Sequence, residues 1–395
     1  MFPVNRFICV YLCSSVVKFP ASMIPISLRQ NSLAPIYEKV VSGVRLEPSE
    51  ALQLMQSVDL NAVGSIGDAM RRRKNGDRAS YILNAYINYS NYCILSCQFC
   101  AFARKKRNAD GFELTLDEIV VKGQAAVQRG ATELHIVGGL HPSLPFVWYL
   151  DMLRALSRLE PRPHLKCFTA IEALHFSRIS KLPLEAVLEQ MRDAGLDSLT
   201  GGGAEIFDPA VRDRIARGKE SAEEWLEVHR IWHRLGGRST CTMLFGHVET
   251  AAQRVDHLTR LRTLQDETGG FTGFVALPYH PDNNGIPVDR PPSALDTLRT
   301  IAASRAFLDN IPHVTAYWVG MGLRLAQVAL SHGADDLHGT IEEEHIFHMA
   351  GAGTPQAQTE AAMVRAIREA GLTPVRRNTF YEPVGAPNEA AAATP

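Results

Sequence analysis

The chain has 395 residues, 46% of them hydrophobic and 21% charged, enough for a barrel-sized globular domain with additions. Lysine plus arginine (41) balances aspartate plus glutamate (42) to a net charge of −1, so no global basic field points to nucleic acid. Seven cysteines, three of them in one short stretch, suit a reducing cytoplasm and argue against a disulfide framework.

The first stretch is apolar (FICVYLCSSVVKF), with Arg6 as a charged flank in the manner of a signal peptide. The run is short and Lys18 ends it, so no membrane span is predicted. Residues 1–22 are read as an extension ahead of a start at Met23, and mass spectrometry of the native N-terminus checks this. Residues 23–78 predict a helical segment. Ser49 is its expected N-cap before an apolar-periodic run (Ala51, Leu52, Leu54, Met55), and the basic run Arg71 to Lys74 is a solvated helix end.

From 79 to 345, β-rich runs alternate with amphipathic ones. A strand over 81–89 (YILNAYINY) leads into a cysteine loop. Helix 116–129 follows, with Thr115 as N-cap, then strand 133–137, helix 146–159 and strand 164–170. Helix 184–194 stops at Gly195, and strand 198–200 precedes Gly201-Gly202-Gly203. Helices over 205–217 and 221–235, strand 239–245, helix 251–267, strand 271–277, helix 293–308, strand 313–318, helix 322–330 and a short strand 335–337 complete the series. The acidic run Glu342 to Glu344 reads as a solvated helix start. Residues 346–383 form a C-terminal extension, with helix 356–369 and segment 373–378 packing on the outside of the barrel. Residues 384–395 (ending AAAATP) are a low-complexity tail. Seven or eight β/α repeats predict an α/β fold, a (β/α) TIM-type barrel, with a doubly wound sheet as the alternative.

The chemistry starts at Cys93, Cys97 and Cys100, spaced i, i+4, i+7. A cubane [4Fe-4S] cluster normally takes four thiolates. The next cysteine is Cys167, so three ligands leave one iron open to a substrate. Zinc is disfavoured, because neither a second C-x-x-C pair nor a histidine pair at ligand spacing is present. In a barrel, chemistry gathers at the C-terminal ends of the strands. That rule selects Gly138, Gly139 and His141; Thr169 and Glu172; Gly201, Gly202, Gly203 and Glu205; His247 and Glu249; and Tyr279, His280 and Asn283. Gly138-Gly139 lets backbone approach a ligand. Gly201–Gly203 is either an anion cradle at a helix N-terminus or a turn, and Glu205 falls in the first turn of the next helix. His141, His247 and His280 are the candidate donors or general bases at the mouth.

The C-x-x-x-C-x-x-C pattern resembles the radical S-adenosylmethionine (SAM) superfamily. The segments HIVGGLHPSLPF, KCFTAIEALHF, AGLDSLTGGGAEIF, LPYHPDNN and GLRLAQVALSHGADDLHGT are together similar to the aminofutalosine synthase family of futalosine-dependent menaquinone biosynthesis, across residues 33 to 380. The resemblance implies a radical SAM barrel and a [4Fe-4S] cluster on the three cysteines. It implies S-adenosyl-L-methionine as co-substrate, its amino group near Gly138 and Gly139 and its ribose or amine near Glu205. It further implies an enolpyruvyl ether of 3-hydroxybenzoate as substrate and a reduced flavodoxin or ferredoxin-type electron donor, with no nucleic-acid or membrane partner. The reaction it implies is addition of the adenosyl radical to the vinyl carbon, migration of the aryl group and loss of carbon dioxide or bicarbonate, to give 6-amino-6-deoxyfutalosine. The substrate carboxylates are expected at Arg104 and Arg324. Departures are Leu140 in place of an acidic residue, Thr200 in place of a proline whose loss loosens the turn, Arg324 in place of lysine, and Cys167. The radical cyclase of the same pathway and the deazaflavin (FO) synthase component are the alternatives, and a metal-holding interaction module is the non-enzymatic one.

Overall fold

A computed structural model describes Pro25 and residues 28–385. The extension over 1–22 and the tail from 386 lie outside the described residues.

Among the described residues ten strands form one sheet: β1 (Arg78–Ile82), β2 (Asn84–Ile87), β3 (Glu133–Ile136), β4 (His164–Cys167), β5 (Ser198–Leu199), β6 (Arg238–Phe245), β7 (Phe271–Pro278), β8 (His313–Thr315), β9 (Asp336–Gly339) and β10 (Thr373–Arg376). Their order is β10-β1-β9-β8-β7-β6-β5-β4-β3-β2, and every pair is parallel. Between β9 and β2 the order runs monotonically, with none of the reversal that an open doubly wound sheet needs. The strand expected over 81–89 is two strands with Leu83 between them. β1 pairs with β9 and β10, whereas β2 pairs with β3, so one stretch of chain joins the two ends of the curled sheet. Beside it, Thr340 N–H donates to Ile82 O (3.1 Å) and Tyr86 N–H to Glu342 O (3.2 Å).

Side chains alternate across a strand, so register fixes what faces the barrel axis. Asn84, Glu133 and His164 align, and two residues further on Tyr86, His135 and Lys166 align. These are two successive polar layers inside the barrel.

Helices cover the outside, and several start at reciprocal caps, including Thr115 with Glu118, Ser221 with Glu224 and Thr250 with Gln253. A further helix, Ala170–Ser180, occupies a stretch with no expected helix. The strand before it ends at Cys167, Phe168 turns through φ +62°, and Thr169 with Glu172 caps the new helix. The apolar run KCFTAI hid that cap. The helix expected from 205 begins at Pro209, capped by Asp208, which leaves Glu205 in a loop at φ +44°. Ser49 is not an N-cap: Pro48–Gln56 begins after Glu47, whose carboxylate shares a capping box with Glu50. The acidic run is a loop. Glu342 pairs with Arg129, Glu343 with Lys122, and Glu344 is buried, accepting from the N–H groups of Ile346 and Phe347. In the basic run, Arg71 is not solvated but buried, bonded to Asp68 and Gly76 O.

The N-terminal helix Leu60–Asn75 packs on Ala294–Phe307. A Cβ on Gly67 would lie 2.9 Å from Ala302 Cα, so glycine permits that approach. At the other end, β10 extends the sheet beyond β1, and the chain does not stay outside. Arg377 reaches Asp336 with two hydrogen bonds (2.6 and 3.0 Å), and Thr379 donates to Glu133 (2.8 Å). The extension thus contributes to the barrel interior at its lower end.

Candidate active site

The cysteine loop follows β2. Its backbone is fixed from several sides: Cys93 N–H donates to Arg104 O (2.9 Å), Ile94 N–H to Leu140 O (2.9 Å) and Gln98 N–H to Ile215 O (2.8 Å). Lys105 Nζ donates to the carbonyls of Cys93, Ile94 and Leu95 (2.8–2.9 Å), which a non-helical loop would otherwise leave without donors. Arg104 is spent in the same way, on Asp110 and the carbonyls of Ala101 and Ala103. It does not line the cavity below, and Arg324 is exposed, so neither expected carboxylate partner faces the site.

Cys93, Cys97 and Cys100 border a cavity of about 300 Å³ that runs into the barrel. Burial pushes the Cys97 thiol up to about 12 and raises Cys100, so binding a metal there must displace protons. Among the described residues no three His, Cys, Asp or Glu side chains converge on a single-ion site. A cubane gives each thiolate its own iron, so it needs three soft donors around one opening, and this loop provides that donor set. Cys167 and Cys241 are fully buried in the core.

Gly138 and Gly139 line the cavity beside the thiols. A Cβ on Gly139 would collide with Tyr92 O, so only glycine allows the approach. Both N–H groups are spent, Gly138 on Glu172 Oε1 (3.2 Å) and Gly139 on Ser90 O (2.8 Å). What the segment offers an ammonium group is carbonyl oxygen. Glu172 is buried and also accepts from the Tyr89 hydroxyl (2.7 Å) and from Thr169 N–H and hydroxyl (2.7 Å each). Burial lifts its carboxyl to about 7 against those donors.

The triple glycine also lines the cavity, but no helix starts there. Gly201 packs against β6, where a Cβ would lie 2.7 Å from Thr240 backbone. Its N–H goes to Thr240 Oγ1 (3.1 Å). The carbonyl of Gly202 accepts from Trp225, and that of Gly203 from Lys219 (2.8 Å). Thr200 ties this turn: its N–H (3.0 Å) and hydroxyl (2.8 Å) both reach Phe168 O, and a proline would supply neither. Glu205 lies on the cavity wall, paired with Lys219 (3.3 Å). Burial opposes charge on Lys219, yet Glu220 and Glu205 outweigh it and raise its pKa.

The three histidines do not share one mouth. His280 lines the cavity and donates through Nε2 to Gly320 O (2.7 Å). His141 lies outside the lining, with Nε2 on Glu113 (2.6 Å) and Nδ1 accepting from Ser143 and Leu144 N–H. His247 is also outside, with Nε2 on Leu244 O (3.1 Å) and Nδ1 accepting from Val248 N–H (2.7 Å). Both rings close loops with all nitrogens occupied.

Lower in the cavity the lining includes Tyr86, His135, Lys166, Tyr317, His338 and Arg377, none of which strand-end reasoning selects. One signal was available. Polar residues at i and i+2 in short apolar strands, Glu133 with His135 and His164 with Lys166, face a barrel interior together.

A curled parallel sheet with three clustered thiols and close-approach glycines at its mouth is the framework of a radical SAM enzyme. A model of the radical SAM superfamily matches residues 87–261, a model of the CofH/MqnC C-terminal region matches 269–390, and the chain belongs to the radical SAM superfamily. Membership implies use of SAM and an iron–sulfur cluster. Within it the chain is closely related to aminodeoxyfutalosine synthase. It is 43% identical to that protein of Thermus thermophilus over 361 residues, 90% of this chain and 97% of the relative. It is 38% identical to the cyclic dehypoxanthine futalosine synthase of Streptomyces coelicolor over 354 residues, 89% of this chain and 88% of the relative. The crystal structure of methylornithine synthase shares the fold, with a TM-score of 0.68 at 18% identity over 86% of this chain and 97% of that one. Among the described residues no helix is long and apolar enough to cross a membrane.

Proposed function

We propose that this enzyme transfers the adenosyl group of SAM to the enolpyruvyl ether of 3-hydroxybenzoate, giving 6-amino-6-deoxyfutalosine for menaquinone biosynthesis. The observation that carries this reading is the 43% identity to aminodeoxyfutalosine synthase across 97% of that relative. Cys93, Cys97 and Cys100 would hold the [4Fe-4S] cluster. When bound, the cluster supplies the electron that cleaves SAM into methionine and an adenosyl radical. Carbonyls of the Gly138-Gly139 segment receive the SAM amino group, and the Glu205–Lys219 pair presents both charges to its polar end. The aryl ether lies deeper, between Val137, Leu244, Val275 and Leu277, which line the cavity and exclude water. Positioning does the remaining work: the vinyl carbon must sit against the adenosyl 5′-carbon so that addition outruns hydrogen transfer from any nearby C–H group. The new bond forms there as the vinyl π bond opens, the aryl group migrates from the ether oxygen to the adjacent carbon, and that oxygen becomes a ketone as the enolpyruvyl carboxylate breaks away, leaving as carbon dioxide or bicarbonate after its unpaired electron returns to the reducing system that supplied it. A reduced flavodoxin or ferredoxin-type protein in the cytoplasm would supply electrons, and the exposed Lys106 and Arg107 beside the cysteine loop suit an acidic donor.

The test is the fate of the adenosyl group. Reduced, reconstituted enzyme with adenosyl-labelled SAM and the aryl ether, without oxygen, should place label in a nucleoside that also carries the benzoate ring, with one methionine per product. Label found wholly in 5′-deoxyadenosine, with dehypoxanthine futalosine cyclised, would assign the cyclase reaction instead.

A further inference from the structure

Lys166 is 7% exposed, and among the described residues its ammonium has no hydrogen-bond or ion-pair partner. Buried Glu133, whose oxygens accept from Asn84 (3.0 Å) and Thr379 (2.8 Å), supplies an opposing charge that favours the protonated lysine, but it makes no direct contact with the ammonium. Two more polar atoms in the same layer are buried without partners, Nδ1 of His135 and Nδ1 of His338. Buried polar groups are almost always hydrogen-bonded, and an ammonium on the cavity lining with three donors and no acceptor marks the place of a missing one, between the rings of His135 and His338. The walls there are flat and aromatic. His135 stacks on Tyr86 (4.2 Å between centroids), and Tyr317 meets His338 edge-on (5.2 Å).

Arg377 cannot serve the same end, since Asp336 takes it with two hydrogen bonds. Burial lowers the pKa of Lys166 and keeps His338 neutral, its pKa pushed down to about 4. The Tyr86 hydroxyl lies 3.5 Å from His338 Nε2. Lys166 is level with His135, three residues before Gly138, so the layer lies about 10 Å below the mouth along the strands.

We propose that Lys166, with His135 and His338, is the anchor for an aromatic carboxylate, and that it fixes the ring end of the substrate while the vinyl end points at the mouth. The inference rests on the proposed reaction for its choice of carboxylate. The enolpyruvyl carboxyl is lost at the reacting end, and the ring carboxyl stays. The anchor is therefore a positioning and specificity device that leaves radical generation to the residues above.

The experiment compares wild type and Lys166→Met, each cluster-loaded, with two substrates: the enolpyruvyl ether of 3-hydroxybenzoate and the ether of phenol, which lacks the ring carboxyl. Binding to the oxidised enzyme with SAM is measured by titration, turnover in the reduced enzyme. The wild type should prefer the acid about thirty-fold or more, as for a lost charged hydrogen bond of about 2 kcal/mol. Lys166→Met should erase most of that preference, raise KM for the acid, and still release 5′-deoxyadenosine from uncoupled SAM cleavage. His338→Leu is a second variant that leaves the lysine and Glu133 in place, and it should lose part of the preference. An unchanged preference in folded Lys166→Met or His338→Leu enzyme overturns the anchor, as does a wild type that binds both ethers equally. Lysine-dependent binding of the acid without adenosyl transfer would support the anchor and overturn the proposed reaction.

Discussion

The mouth and the floor of this barrel are built on opposite plans. At the mouth, a continuous stretch of chain carries three thiols, and its polar groups are satisfied by neighbouring backbone and by Lys105. At the floor, Tyr86, His135, Lys166 and His338 come from four strands, and three of their polar groups have no partner among the described residues. On the proposed reading, the mouth would be completed by an inorganic group whose ligands are close in sequence, and the floor by a small molecule whose contacts need only be close in space. Reaction type would then belong to a motif, and substrate choice to a register.

The largest effect should come from the mouth. Alanine at Cys93, Cys97 or Cys100 is expected to abolish the brown absorbance of the reconstituted cluster and all SAM cleavage. Cys167→Ala and Cys241→Ala should keep both, because those thiols are fully buried in the core. Loss of the cluster in Cys167→Ala together with its retention in Cys97→Ala would undo the division.

Stability should be more sensitive at the floor. Arg377→Met would leave Asp336 buried without its bidentate partner. A cost of about 3–5 kcal/mol is expected in denaturant unfolding. A change below ~1 kcal/mol would mean that the C-terminal segment is not part of the barrel's lower end.

A smaller effect separates both regions from the surrounding shell. His233 and His257 are buried in the helix–strand layer, and burial pushes each ring down to about 3. The unfolded chain protonates its histidines near pH 6.5, so their contribution is complete above that pH. It is lost as pH falls from 6.5 toward 3. At pH 5 each ring should cost about 2 kcal/mol, and His257→Gln should flatten the loss between pH 7 and 5.

This contrast also explains what the sequence could disclose. The barrel is legible because hydrophobic period and turn residues recur in each β/α unit, and the cysteine triplet because its spacing is local. Sequence pattern puts Glu205 into a helix because the true start, Asp208-Pro209, lies five residues beyond the end of a glycine run that already resembles one. His141 and His247 read as mouth histidines from sequence because a histidine after a strand looks the same whether its nitrogens are free or closing a turn. The pairing of β1 with β10, and of Arg377 with Asp336, joins residues too distant for pattern to reveal.

The most direct test of the division is spectroscopic. A reduced [4Fe-4S] cluster is paramagnetic, and SAM bound at its open iron alters the EPR spectrum. Wild type and Lys166→Met should show the same reduced signal and the same change on adding SAM, while only the wild type responds further to the aryl ether. A Lys166→Met protein that is folded and cluster-loaded but blind to SAM would contradict the separation of mouth from floor.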